Sequence, residues 1–126
     1  MSESPIGELL ARAGESLDAA RVLLASGHPD FSASRAYHAM YYAASAMLLT
    51  RDEQRSKHSG VIAAFGEMFV KTGVVAPDYF RSLREAFDVR NQGDYALVRI
   101  GPDRAAEVIE AAGRFVAEVA RHVAAD

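Results

Sequence analysis

The chain has 126 residues, of which 50% are hydrophobic and 25% charged, with a formal net charge of -3, no Cys and no Trp. A chain this long buries roughly two thirds of its unfolded surface, so one packed domain is expected, and a disordered or collagen-like chain is excluded. The missing cysteines exclude a disulfide scaffold, a Cys-ligated metal and a thiol nucleophile. The acidic balance excludes phosphate binding by the surface at large.

The N-terminal Met1-Ser2-Glu3-Ser4-Pro5 lacks the basic and apolar stretches of a leader, which points to the cytoplasm. Ile6, Leu9, Leu10, Ala13, Leu17, Ala20 and Leu24 then recur at helical steps, with Pro5 suited to the first turn and Gly27 to the C-cap. After a tight His28-Pro29-Asp30 connection, a second helix is expected from about Ser32 to Thr50. Its stretch Ala36 to Leu49 is apolar on nearly every side, which marks it as the central helix. That stretch is too short for a bilayer crossing of ~20 residues. Arg51 to Arg55 reads as a solvated linker, and Ser56 is expected to cap a third helix reaching Thr72, stopped by Gly73. Ala76-Pro77-Asp78 opens a fourth, with Phe80, Leu83 and Phe87 on one face and Gly93 as its end. Gly101-Pro102-Asp103 opens the fifth, carrying the stripe Val108, Ile109, Ala112, Phe115, Val116, Val119 and Val123. Only Tyr95 to Ile100 shows any strand alternation, too short and isolated for a sheet. The expectation is one all-α domain over residues 1–126, an antiparallel up-and-down bundle of about five helices.

The small residues Ala36, Ala39, Ala43, Ala44 and Ala46 would let neighbouring helices approach the second one closely. Tyr37, Tyr41 and Tyr42 are expected in the core with their hydroxyls bonded inside the bundle; the alternative sets them at a dimer interface or pocket wall.

Charge is uneven. Residues 51–100 hold eight Lys/Arg against seven acids, about +1, whereas each flanking segment holds three Arg against five acids, about -2. An anion is therefore sought in the middle. There the apolar stripe of the fourth helix continues onto Arg90, which needs either an acid partner (Asp94 or Glu85) or a wet cleft. In the cleft, Arg90 would offer its fork to phosphate, with Asn91 as a second donor and Tyr95 as a hydroxyl or stacking ring. Ser56-Lys57-His58-Ser59-Gly60 sits at a helix start, where free N–H groups favour an anion and Lys57 and His58 add charge. Arg35 and His38 share a face of the second helix. His28, His38, His58 and His122 are scattered, so no metal site is expected, and no cofactor motif is present.

The segments Ser34-Arg35-Ala36-Tyr37-His38-Ala39-Met40-Tyr41-Tyr42-Ala43-Ala44, then Lys57-His58-Ser59-Gly60 with Phe65 and Phe69-Val70-Lys71-Thr72-Gly73, then Arg90 with Asp94-Tyr95, resemble the HEPN domain. They are most similar to its small stand-alone prokaryotic branch. The resemblance covers nearly the whole chain. It implies a helical bundle that commonly forms homodimers, and cytoplasmic roles around nucleotides and RNA. It also implies, as a partner, a minimal nucleotidyltransferase in a two-gene toxin–antitoxin arrangement. Many members of that family are metal-independent ribonucleases whose site is Arg, a polar residue, then His about four to six residues on, the Arg stabilising charge on phosphorus and the His moving a proton. Arg90-Asn91 matches the first half, but Gln92-Gly93-Asp94-Tyr95-Ala96-Leu97-Val98 contains no His. Relatives tend to carry an aromatic where this chain has His38.

The resemblance and the missing His together imply a non-catalytic nucleotide- or RNA-associated regulatory module, its ligand held by Arg90, Asn91, Asp94, Tyr95, Lys57, His58 and Arg35. The alternative is a ribonuclease toxin with a displaced base, using Arg90, Asn91, Tyr95 and His58. A homodimer without a ligand is the third expectation.

Overall fold

The structure is a computed structural model and describes residues 4–125; Met1, Ser2, Glu3 and Asp126, including most of the stretch read for a leader, lie outside the described residues. Five α-helices and no strand are present among the described residues. The first helix, α1 (Pro5–Ala25), begins as expected: Ser4 is its N-cap, and the Gly7 N–H donates to the Ser4 hydroxyl at 3.0 Å. Gly27 follows its end at φ 87°, a left-handed conformation that glycine adopts without a Cβ penalty.

The second helix, α2 (Pro29–Leu49), starts at Pro29 rather than at Ser32. A proline lacks only an N–H that the first turn leaves unpaired anyway, so Pro29-Asp30 belongs to the helix and not to the connection. The third, α3 (His58–Phe65), is shorter than expected and starts later. Lys57 occupies the N-cap, no side chain caps it, and Ser56 lies outside it. A wider π-type turn over Gly66–Val70 continues it. That turn sits where Gly66 admits the Phe80 ring, since a Cβ at Gly66 would lie 2.8 Å from Phe80 Cε1.

The fourth helix, α4 (Pro77–Tyr95), runs through Gly93, the expected stop. Leu97 ends it instead, at φ 59°, with Ala96 N–H returning to the Asn91 carbonyl and Val98 N–H to that of Gln92. A non-glycine residue thus supplies the left-handed turn. Gly93 matters for space: a Cβ there would meet Ile100 at 3.3 Å. Tyr95, read as the start of an extended stretch, is the last residue of α4. The fifth helix, α5 (Pro102–Ala125), buries Val108, Ile109, Ala112, Phe115 and Val119, as its stripe predicts.

As its composition predicts, α2 is central: it packs against α1, α3, α4 and α5 and buries Ala36, Ala39, Ala43, Ala44 and Ala46. Small side chains there let the flanking helices close in. The buried Ser32 hydroxyl donates to the Ala20 carbonyl at 2.7 Å and ties α2 to α1. At the start of α2, the Asp30 carboxylate accepts the Ile100 N–H and pairs with Arg99 at 3.3 Å. It thereby anchors the α4–α5 connection to the central helix. No described helix is long and apolar enough to cross a membrane.

Candidate functional site

The site is organised by one buried ring. Tyr37 lies on the face of α2 that meets the start of α3 and the end of α4, and its side chain is fully buried. Around it stand three groups that the sequence scatters widely. His58, the first residue of α3, has its ring centroid 5.6 Å from that of Tyr37, and His38, next along α2, is at 5.4 Å. The Arg90 guanidinium, in the last turns of α4, lies 5.7 Å above the same ring. The two imidazoles meet edge-on at 5.7 Å, and Tyr41 stacks on His58 at 4.1 Å with an interplanar angle of 13°.

Arg90 is the residue the apolar stripe picked out as misplaced, and it is paired as one of the two readings required. Its Nε donates to Asp94 at 3.0 Å, and its Nη1 to the Asn91 side-chain oxygen at 3.4 Å. Glu85, the other acid considered, instead accepts from Arg104. Arg90 also lies over the ring of Tyr95, 5.4 Å from its centroid. The Arg90 side chain is 15% exposed and that of its Asp94 partner 30%, so the pair is a lining of the site and not a sealed core bridge. Nη2 makes no protein hydrogen bond, and among the described residues no buried side-chain nitrogen or oxygen lacks a partner. Nη2 therefore keeps some access to solvent and has N–H groups free of protein acceptors.

The same accounting assigns the tautomers of both histidines. His38 Nδ1 lies 2.8 Å from the Ser34 carbonyl, which can only accept, so Nδ1 carries the proton and Nε2 keeps its lone pair. Tyr37 Oη lies 2.7 Å from His58 Nδ1. The Tyr37 hydroxyl is buried and has no other acceptor, so it donates to Nδ1, and the His58 proton sits on Nε2. Both Nε2 atoms lack a protein partner and are therefore also accessible.

Burial and the Arg90 charge push in one direction. Desolvation first, then the charges of Arg35 and Arg90, keep His38 neutral against the pull of the Ser34 carbonyl and Asp94. Desolvation, then Arg90 and His38, do the same for His58. Burial drives Tyr37 ionisation far above the usual phenol range, so its O–H persists. The outcome is a cluster around the Tyr37 ring with two donor positions, Arg90 Nη2 and His58 Nε2–H, and two acceptors, His38 Nε2 and the Asp94 carboxylate. It can take an anion and a hydroxyl side by side.

Of the residues singled out from sequence, the structure brings Arg90, Asn91, Asp94, Tyr95 and His58 together. Lys57 is exposed at the N-cap of α3, next in sequence to His58. Arg35 turns aside: it lines a hollow toward α1 with Arg12, Glu15 and Tyr42. His38 joins the site, whereas the sequence places it only on a shared helix face with Arg35. Tyr37 is buried and bonded as the core reading expects, whereas Tyr41 and Tyr42 are only half-buried, nearer the pocket-wall alternative; the i,i+4 spacing of Tyr37 and Tyr41, which sets them on one helix face, is the signal for a shared platform. Among the described residues no three His, Asp or Glu side chains gather as a metal site would require.

A family model for the HEPN domain matches residues 6–122. The chain belongs to the HEPN family. Among its relatives, the Methanocaldococcus jannaschii protein named "Putative toxin MJ0142" is 36% identical over 99 residues, covering 78% of this chain and 67% of that protein. A second protein of that organism, "Putative toxin MJ0605", is 33% identical over 111 residues, 88% of this chain and 83% of the relative. The Thermotoga maritima "UPF0332 protein" is 43% identical over 84 residues, so the match spans 67% of this chain and 64% of that relative. The HEPN assignment agrees with the all-α bundle.

Proposed function

We propose that this HEPN module binds single-stranded RNA at a backbone phosphate in the cleft around Arg90, as the RNA-directed component of a cytoplasmic toxin–antitoxin system. The carrying observation is that the Arg90 guanidinium and the His58 ring lie against one Tyr37 ring, with Arg90 Nη2 and His58 Nε2 making no protein hydrogen bond. Two donors around one partly desolvated ring, one of them charged, are the groups a phosphate oxygen pair would use. Tyr95, 72% exposed beside Arg90, supplies a ring on which a base can stack. The test is fluorescence anisotropy of a labelled RNA oligonucleotide. Arg90→Ala is expected to weaken binding about ten- to hundredfold, the effect of a lost charge-assisted hydrogen bond. Unchanged affinity would overturn the proposal.

In this reading the module binds and does not cleave. A second reading, metal-independent cleavage, draws support from two imidazoles, His38 and His58, standing around the same Tyr37 ring as Arg90. Incubation with RNA in EDTA separates the two. A binding module leaves the RNA intact; new ends that vanish in Arg90→Ala establish cleavage.

The partners implied by the family resemblance, a second copy of the chain and a minimal nucleotidyltransferase, belong to the same proposal. Tyr95, Leu97 and Val98, at 72%, 84% and 49% exposure, give the rim of the cleft an apolar surface suited to a protein contact. Light scattering should return a dimer that Leu97→Asp dissociates; monomer at all concentrations rejects the dimer.

A further inference from the structure

We propose that the hollow between α1 and α2 is a second phosphate subsite, in which Arg35, with Arg12 and the Tyr42 hydroxyl, holds another backbone phosphate of the strand whose first phosphate meets Arg90. This rests on the RNA-binding reading above and gives the strand its path away from Arg90, across α2 toward α1.

Every arginine of the chain is exposed except two, Arg90 and Arg35, which are half-buried. A guanidinium taken partly out of water needs an acid or a wet, polar place. Arg90 has Asp94 at 3.0 Å. Arg35 makes no ion pair and no side-chain hydrogen bond with a described residue, and among the described residues no buried side-chain nitrogen lacks a partner. Its N–H groups therefore keep access to solvent in the hollow they line.

That hollow has a volume of about 230 Å³ and is lined by Arg12, Glu15, Ser16, Ala19, Arg35 and Tyr42. Two guanidinium groups and a phenol hydroxyl face its one carboxylate, so the donors prevail. Arg12 meets Glu8 only at 3.5 Å, in a pair more than half exposed on both sides. Water screens such a pair, and a phosphate can displace it.

The hollow also adjoins the Arg90 site. Tyr42, on its wall, lies 6.4 Å from the His38 ring; His38 lies 5.4 Å from Tyr37, and Arg90 sits 5.7 Å over Tyr37. After desolvation, the charges of Arg35 and Arg90 are what keep His38 neutral, so one imidazole stands in the field of both. A strand lying along these rings meets a half-buried cation at each end of the row.

The experiment measures the affinity of one single-stranded oligoribonucleotide over a series of salt concentrations, for wild type, Arg35→Met and Arg35→Lys. Methionine keeps an unbranched apolar stem on α2 and removes the charge, and a melting curve confirms that each variant is folded. Arg35→Met is expected to weaken binding about tenfold, the worth of one charge-assisted hydrogen bond. Its plot of log affinity against log salt should flatten by about 0.7, the share of one phosphate on a single strand. Arg35→Lys retains the charge and should keep the wild-type slope. A neutral methylphosphonate placed at one linkage at a time then locates the contacts: wild type should be weakened at two linkages, Arg35→Met at only one of them. An unchanged slope in Arg35→Met, or a single sensitive linkage in wild type, overturns the second subsite. If Arg90→Ala weakens binding and Arg35→Met does not, the subsite falls and the RNA-binding reading stands. If Arg90→Ala changes nothing, the RNA-binding reading falls and takes this inference with it.

Discussion

Two arginine–carboxylate pairs in this bundle share their chemistry and differ in their surroundings. Arg114 on α5 donates to Glu110, one turn away, at 2.9 Å, with side-chain exposures of 61% and 77%. Arg90 on α4 donates to Asp94, one turn away, at 3.0 Å, with exposures of 15% and 30%. The outer pair is fully wetted; water and salt screen it, and such pairs contribute ~0–1 kcal/mol. The inner pair has two tyrosine rings against its guanidinium and two neutral imidazoles nearby. Fewer waters reach it, so its charge is felt further. An i,i+4 spacing is thus no guide to a pair's role. What surrounds it decides.

The largest test of that contrast removes the platform. Tyr37→Ala is expected to cost about 3–5 kcal/mol in urea unfolding, as for other buried aromatic truncations, whereas Arg114→Ala should be nearly silent. If Tyr37→Ala were also silent, the inner site would be no more built than the outer face.

Acid provides the next test. Both His38 and His58 have lowered proton affinity in the folded protein, so the unfolded chain binds more protons. Acidification therefore pulls toward unfolding. The stability gained by keeping the rings neutral is present above the ordinary histidine value of about 6.5, and it is lost as pH falls below it. Thermal melts between pH 8 and pH 5 should drop on the acid side, less steeply in His38→Phe; a flat profile would contradict the burial of these rings.

The finest test swaps the acids. Asp94→Asn removes the charge competing for Arg90 and is expected to raise RNA affinity up to about fivefold, the worth of one partly screened pair. Glu110→Gln on α5 should leave affinity unchanged, and equal effects from both would erase the distinction between the two pairs.

The bundle was legible because apolar residues at steps of three and four mark a buried face whatever lies opposite. Arg90 was legible for the same reason, as a charge on a stripe where a hydrophobe belongs. The histidines were not. His38 sits in a helix that is apolar nearly all round, so periodicity cannot say which neighbour it faces, and His58 reaches it only through the packing of α3 on α2. Helix ends failed where two rules compete. Gly93 looks like a stop but serves as a gap for Ile100, and Leu97 takes the left-handed turn that glycine usually supplies. At Pro29 the residue that suggests a connection is also a good first helical residue, and the helix prevailed.

Tyr37 carries a further consequence. One phenol props up the interior and also fixes the tautomer of His58, so the chain cannot abandon its ligand chemistry there without endangering its own fold. Variants with a disrupted site would therefore fall into two kinds. Changes at the rim, such as those at Arg90 or His38, should leave abundance normal, while changes at the phenol should deplete the protein from the cell.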